Sequence, residues 1–185
     1  MKTTSSMKAV FVITNSLDAS SVKAFLLSLF SLFLRLVLNG PNHTANLING
    51  HVYEMTAKGR EKTELDEWLK KTNRRVQVLK PLGPFDLPKE SKPYGFFDLV
   101  MMLFQLIARK LGLKWTWNGR TGVLRRWVGW FCSEFSAICG YRPNPWLYTP
   151  GAFLTDPYFE EVGVFTTKQG IGVTCSFKIE SLIKV

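Results

Sequence analysis

Chemistry in this chain has few side chains to choose from. There are two histidines, His43 and His51, and three cysteines, Cys132, Cys139 and Cys175. No Cys-x-x-Cys, His-Glu-x-x-His, Gly-x-x-x-x-Gly-Lys-Ser/Thr or Gly-x-Ser-x-Gly pattern occurs. The common zinc, phosphate-loop and serine-hydrolase readings therefore lack support, and no metal or cofactor is expected. What remains is thiol chemistry. Cys132 follows the aromatic lead-in Trp127-Val128-Gly129-Trp130-Phe131 and opens an apparent helix, Cys132 to Cys139. A helix N-terminus offers partial positive charge and free N–H groups, which stabilise a thiolate and a developing oxyanion. The bland alternative is one more buried apolar cysteine. Cys139 and Cys175 read as core.

His43 is the candidate general base, set at a strand start by the Asn39-Gly40-Pro41-Asn42 turn. His51, beside Asn49-Gly50, reads as solvent-facing. Two short runs around Asn49-Gly50 form a strong hairpin signal, and antiparallel pairing brings Glu54 close to the His43–Asn46 segment. A carboxylate there would orient the imidazole and stabilise its charged form. An ordinary exposed strand carboxylate is the alternative, and Asn46 competes for the orienting role.

These residues need elements to hold them. Lys8 to Thr14 reads as a buried strand. Val22 to Leu38 is the most apolar stretch. Arg35 interrupts it, and it lies too far in for a signal peptide, so a buried or membrane-grazing helix is expected rather than a span. The segment from Lys58 to Lys71 reads as a charged turn and helix, with Leu65, Trp68 and Leu69 on one face. Arg75 to Leu79 reads as a strand and Lys80 to Pro93 as a loop. A long amphipathic helix is expected over Tyr94 to Leu113, closed by Gly112, and a further helix over Trp127 to Gly140. A proline-rich loop over Asn144 to Pro150 and a short helix or turn over Phe153 to Phe159 lead to closing strands at Glu161 to Thr167 and Gly172 to Ile179. The order is mixed without strict βαβ alternation, hence α+β.

The 185 residues fit one domain with a real core, 1–185, with 1–7 frayed. Three cysteines are too few for a disulfide scaffold. The 24 basic and 14 acidic residues leave a net charge of +10, which favours an anionic partner: wall polymer, lipid surface or nucleic acid. Arg109, Lys110, Lys114, Arg120, Arg125 and Arg126 interleave with Trp115, Trp117 and Trp127. That pattern suits single-stranded nucleic acid, but no nucleic-acid signature accompanies it, so a solvated basic surface is the reading preferred.

The residues also resemble a family, the circularly permuted papain-like hydrolases of the NlpC/P60 superfamily. Asn42-His43 with Thr44-Ala45-Asn46-Leu47-Ile48 is similar to its His-bearing strand. Val52-Tyr53-Glu54-Met55-Thr56-Ala57-Lys58-Gly59 is similar to the strand bearing its third catalytic residue. Tyr94-Gly95-Phe96-Phe97-Asp98, Phe131-Cys132-Ser133-Glu134-Phe135, and Leu147-Tyr148-Thr149-Pro150-Gly151 with Asp156-Pro157 are similar to its helix entry, nucleophile and downstream motifs. The order His43, Glu54, Cys132 is that of the permuted branch. Gly40-Pro41-Asn42 before the histidine departs from the family's usual small polar residue and aromatic.

The resemblance implies a permuted papain-like fold and a Cys132–His43–Glu54 thiol hydrolase. Its substrate would be a peptidoglycan peptide or an acyl-lipid, with peripheral membrane contact through 22–38. The alternative is an inactive papain-like module binding an anionic membrane or nucleic acid. Without a secretion signal, a location in the cytoplasm or a host cytoplasm, or peripherally on a membrane, is expected, as would suit a bacterium or bacteriophage.

Overall fold

Lys8–Asn15 (β1) carries an unbroken β-branched and aromatic run, the pattern of a strand buried on both faces. The computed structural model, which describes residues 7–15, 32–37, 40–70, 74–114 and 129–167, places β1 inside a sheet. His43–Ile48 (β2) and His51–Thr56 (β3) form the expected hairpin. Its turn residues, Asn49 (φ 52°) and Gly50 (φ 80°), both take the positive φ that a two-residue turn of matching twist requires.

The segment from Lys58 departs from expectation. Gly59–Glu64 is a strand (β4), paired with β3 from Thr56↔Gly59 to His51↔Glu64, and only Leu65–Leu69 is helical (α1). Gly59 at φ 99° turns the chain back at once, and the following Arg, Lys and Glu suit an exposed sheet edge, where charges block further pairing. Leu65, Trp68 and Leu69 are buried as the spacing predicts.

Arg74–Pro81 (β5) and Phe159–Thr167 (β6) complete a six-stranded sheet in the order β4-β3-β2-β1-β5-β6, antiparallel throughout. The fold is α+β. One sheet face packs Phe11, Ile13, Ala45, Leu47 and Val76 against α1, with Phe11 stacked on Trp68 at 5.1 Å between centroids. The other face packs Val10, Val12, Ile48 and Leu79 against Cys132–Cys139 (α3) and Phe153. Phe96–Lys110 (α2) buries Leu99, Met102 and Leu103 against Phe131 and Leu34, the last in the helical residues 32–37. Gly112, at φ 76°, closes α2 as the sequence suggests.

One helix boundary changes. Helix α3 begins at Cys132 rather than Trp127, because Gly129 to Phe131 run extended and Tyr94 bridges Trp130. Among the described residues, no helix is long and apolar enough to cross a membrane. Residues 1–6, most of the Val22–Leu38 stretch, residues 115–128 with their Trp and Arg cluster, Cys175 and the Gly172–Ile179 strand lie outside the described residues.

The bridge beside α3 depends on two glycines. A Cβ on Gly95 would sit 2.8 Å from the Gly129 carbonyl carbon, and one on Gly129 would strike the Pro93 carbonyl oxygen and the Gly95 nitrogen. The obstructing atoms are backbone and cannot rotate away. Gly129→Ala should therefore cost roughly 2 kcal/mol or more of stability by overpacking, read as a lower midpoint in urea with an unchanged slope. An unchanged midpoint would show that the two backbones separate freely.

Candidate active site

The site forms where β2 begins and α3 begins. Residues 44, 46 and 48 of β2 face α3: Ser136 Oγ donates to Thr44 Oγ1 at 2.9 Å, and Asn46 Nδ2 to Cys139 Sγ at 3.8 Å. Residues 43, 45 and 47 lie on the opposite side. His43 is the first residue of β2 and Cys132 the first of α3, so thiol and imidazole meet at the end of the sheet.

Glu54 is opposite Ala45 and diagonal to His43, on the same face. Its Oε1 lies 3.0 Å from His43 Nε2, which donates to it when protonated. Nε2 being so engaged, Nδ1 is the nitrogen left for the thiol. The carboxylate is 4% exposed, so its end of the pair is shielded from bulk water. Asn46 does not compete: three residues from His43 along a strand, it points to the other face and reaches Cys139. The His51 ring instead hydrogen-bonds the Asn49 carbonyl, at 3.2 Å, within the hairpin turn. Cys139 is buried, and burial pushes its thiol pKa up, as suits a core residue.

The electrostatics follow from these contacts. Burial disfavours an imidazolium at His43. The charge and hydrogen bond of Cys132, then the hydrogen bond and charge of Glu54, outweigh that, and its pKa rises from 6.5 to about 9. Burial likewise opposes a thiolate at Cys132. The His43 charge and hydrogen bond, with the backbone N–H groups of Thr44 and Ser133, bring its pKa below the ordinary thiol value. Tyr94 is shifted upward by burial and by the Cys132 charge, so a neutral phenol stands near the sulfur.

Two supports were not legible in the sequence. Arg74, at the start of β5, lies three strand spacings from β3, each about 4.8 Å. Its Nη1 nevertheless reaches Glu54 Oε1 at 3.3 Å, with the guanidinium 5.8 Å from the Trp68 ring centre. Nothing in the sequence links positions 54 and 74, because only the strand order puts β5 beside β1. The second support anchors the chain after α3. Ser133 Oγ donates to the Tyr148 carbonyl at 2.7 Å. Tyr148 Oη donates to Asp156 at 2.7 Å, and Arg142 grips both Asp156 oxygens at 2.9 and 3.2 Å.

His43 and Arg74 thus share one carboxylate oxygen, and they pull on the site in opposite directions. Glu54→Gln removes the charge that favours the imidazolium, so the His43 pKa should fall by about one unit from its value near 9. Arg74→Gln removes a competing cation, so it should rise by a similar amount. Ring NMR signals read this directly, since the only other histidine, His51, is removed by His51→Asn. Shifts of the same sign in both variants would refute the shared-oxygen account.

Among the described residues, no group of three or more His, Cys, Asp or Glu is placed to hold a metal ion. Comparison with protein-family models, curated proteins and solved structures finds no match.

Proposed function

We propose that this protein is a cysteine hydrolase with a permuted papain-like fold, cleaving an amide, ester or thioester through an acyl-enzyme. One observation carries the reading: a thiol at the first position of a helix lies against an imidazole whose other nitrogen is held at 3.0 Å by a buried carboxylate. The strand bearing His43 precedes the helix bearing Cys132, the order of the permuted branch.

The proposed reaction runs through a covalent thioester. His43 holds the proton of Cys132, leaving a thiolate–imidazolium pair. The thiolate attacks the carbonyl carbon and forms a C–S bond. The carbonyl electrons move to oxygen, to which the Cys132 N–H at the helix N-terminus would donate. On collapse the C–N, C–O or C–S bond to the leaving group breaks, and His43 gives that group its proton. Water then attacks the thioester carbon as His43 takes its proton; collapse breaks the C–S bond to Cys132, releases the carboxylic acid product and restores the thiolate–imidazolium pair. Glu54 keeps the ring oriented and its charged form stable throughout.

The net charge of +10 suits a substrate on an anionic surface, either wall peptide or acyl-lipid. A panel of muropeptides and acyl-lipids, assayed with wild type and Cys132→Ala, tests the reading. Turnover of one class by wild type alone supports it. Turnover by both proteins, or by neither on any member, overturns it.

A further inference from the structure

Helix α2 has two apolar faces, and only one is buried. Leu99, Met102 and Leu103 pack inward. Phe97, Phe104 and Leu111 recur every seven residues, so they share one stripe, and they are 49%, 58% and 71% exposed. Residues 32–37 lie alongside α2. Leu34 joins the buried cluster with Leu99, while Phe33 and Leu36 are exposed, and Lys110 Nζ donates to the Val37 carbonyl at 3.1 Å beside the end of α2. Leu113, also exposed, continues the surface past the helix. A run of large apolar side chains across two adjacent helical pieces is a docking surface rather than scattered exposure.

The charges around it identify the occupant. Residues 32–37 and 96–114 contain four bases, Arg35, Arg109, Lys110 and Lys114, and a single carboxylate, Asp98, which is buried. Arg109, Lys110 and Lys114 are exposed at one end of the stripe. A second copy of the chain would bring the same bases against these, so self-pairing is disfavoured by like charge. An anionic bilayer satisfies both features. The aromatic and Leu side chains enter the boundary between headgroups and acyl chains, and the bases meet lipid phosphate.

We propose that the exposed face of α2, with residues 32–37, seats the protein on an anionic lipid surface. This stands independently of the thiol chemistry. It also places the membrane beside the site, because the buried side of α2 packs on Phe131, the residue before Cys132.

Co-sedimentation with vesicles tests it, using phosphatidylcholine alone and phosphatidylcholine with added phosphatidylglycerol. Wild type should bind the anionic vesicles several-fold more tightly, with the advantage shrinking in high salt. The triple variant Phe97→Gln, Phe104→Gln, Leu111→Gln keeps good helix formers at exposed positions. It should keep the wild-type circular dichroism and lose at least about tenfold in vesicle affinity. Cys132→Ala should bind as wild type does, which separates this surface from the active site. The proposal is overturned if wild type shows no preference for anionic vesicles or if the folded triple variant binds unchanged. It is also overturned if wild type forms dimers that the triple variant does not and neither binds vesicles.

Discussion

Cys132→Ala and His43→Ala should each lower turnover of a verified substrate by about 10⁶-fold, while the proteins stay folded. The size follows from what each change removes. Without the sulfur no acyl-enzyme can form, and alanine offers no other nucleophile. Without the imidazole the thiol, buried among Trp130, Phe135 and Phe153, loses the cation that offsets the cost of its charge. The double variant should be little worse than either single one, because the two residues act as one unit. Folding is spared for a local reason. Cys132→Ala removes a single heavy atom, the sulfur, and the His43 ring is partly exposed at the sheet end. Steady-state kinetics with each folded variant makes the test, and near wild-type turnover by either sinks the assignment. In wild type the ion pair is lost as pH rises through about 9, the His43 value, and also as pH falls through the lowered Cys132 value. The rate should therefore be bell-shaped, with its alkaline limb near 9.

The largest effect on stability is expected from the sheet face that packs on α1. Phe11→Ala should cost about 3–5 kcal/mol, a substantial fraction of the stability of a domain this size. Phe11 is fully buried in β1, stacks on Trp68 at 5.1 Å and meets Phe165 edge-on at 6.2 Å. β1 is flanked by β2 and β5, so the cavity cannot close without moving the strands that carry His43 and Arg74. Urea unfolding followed by tryptophan fluorescence reads the loss. A cost below about 1 kcal/mol would mean that this face collapses around the gap. Partial loss of thiolate character in the folded variant would follow if β2 and β5 shift together.

Local chemistry decided the short-range features. The β-branched run of β1, the Asn49-Gly50 turn with both residues at positive φ, the amphipathic spacing of α2 and the placing of Cys132 at a helix start all act over a few residues. The diagonal of His43 and Glu54 also follows from the hairpin, because turn length sets its register. Even the exclusion of Asn46 was present in the alternation, since residues 43 and 46 of one strand face opposite ways.

Tertiary structure decided the rest. Gly59–Glu64 is too polar to signal a strand, and its conformation is set by the edge of β3 it pairs with. Arg74 reaches Glu54 only because the sheet orders its strands β3-β2-β1-β5. The thiol meets the imidazole only because α3 packs across β2, bringing together positions 89 residues apart in the chain. Backbone preference and side-chain alternation act over a few residues. Which distant groups share a charge or an oxygen depends on which faces bury each other, and one chain read in order does not specify that.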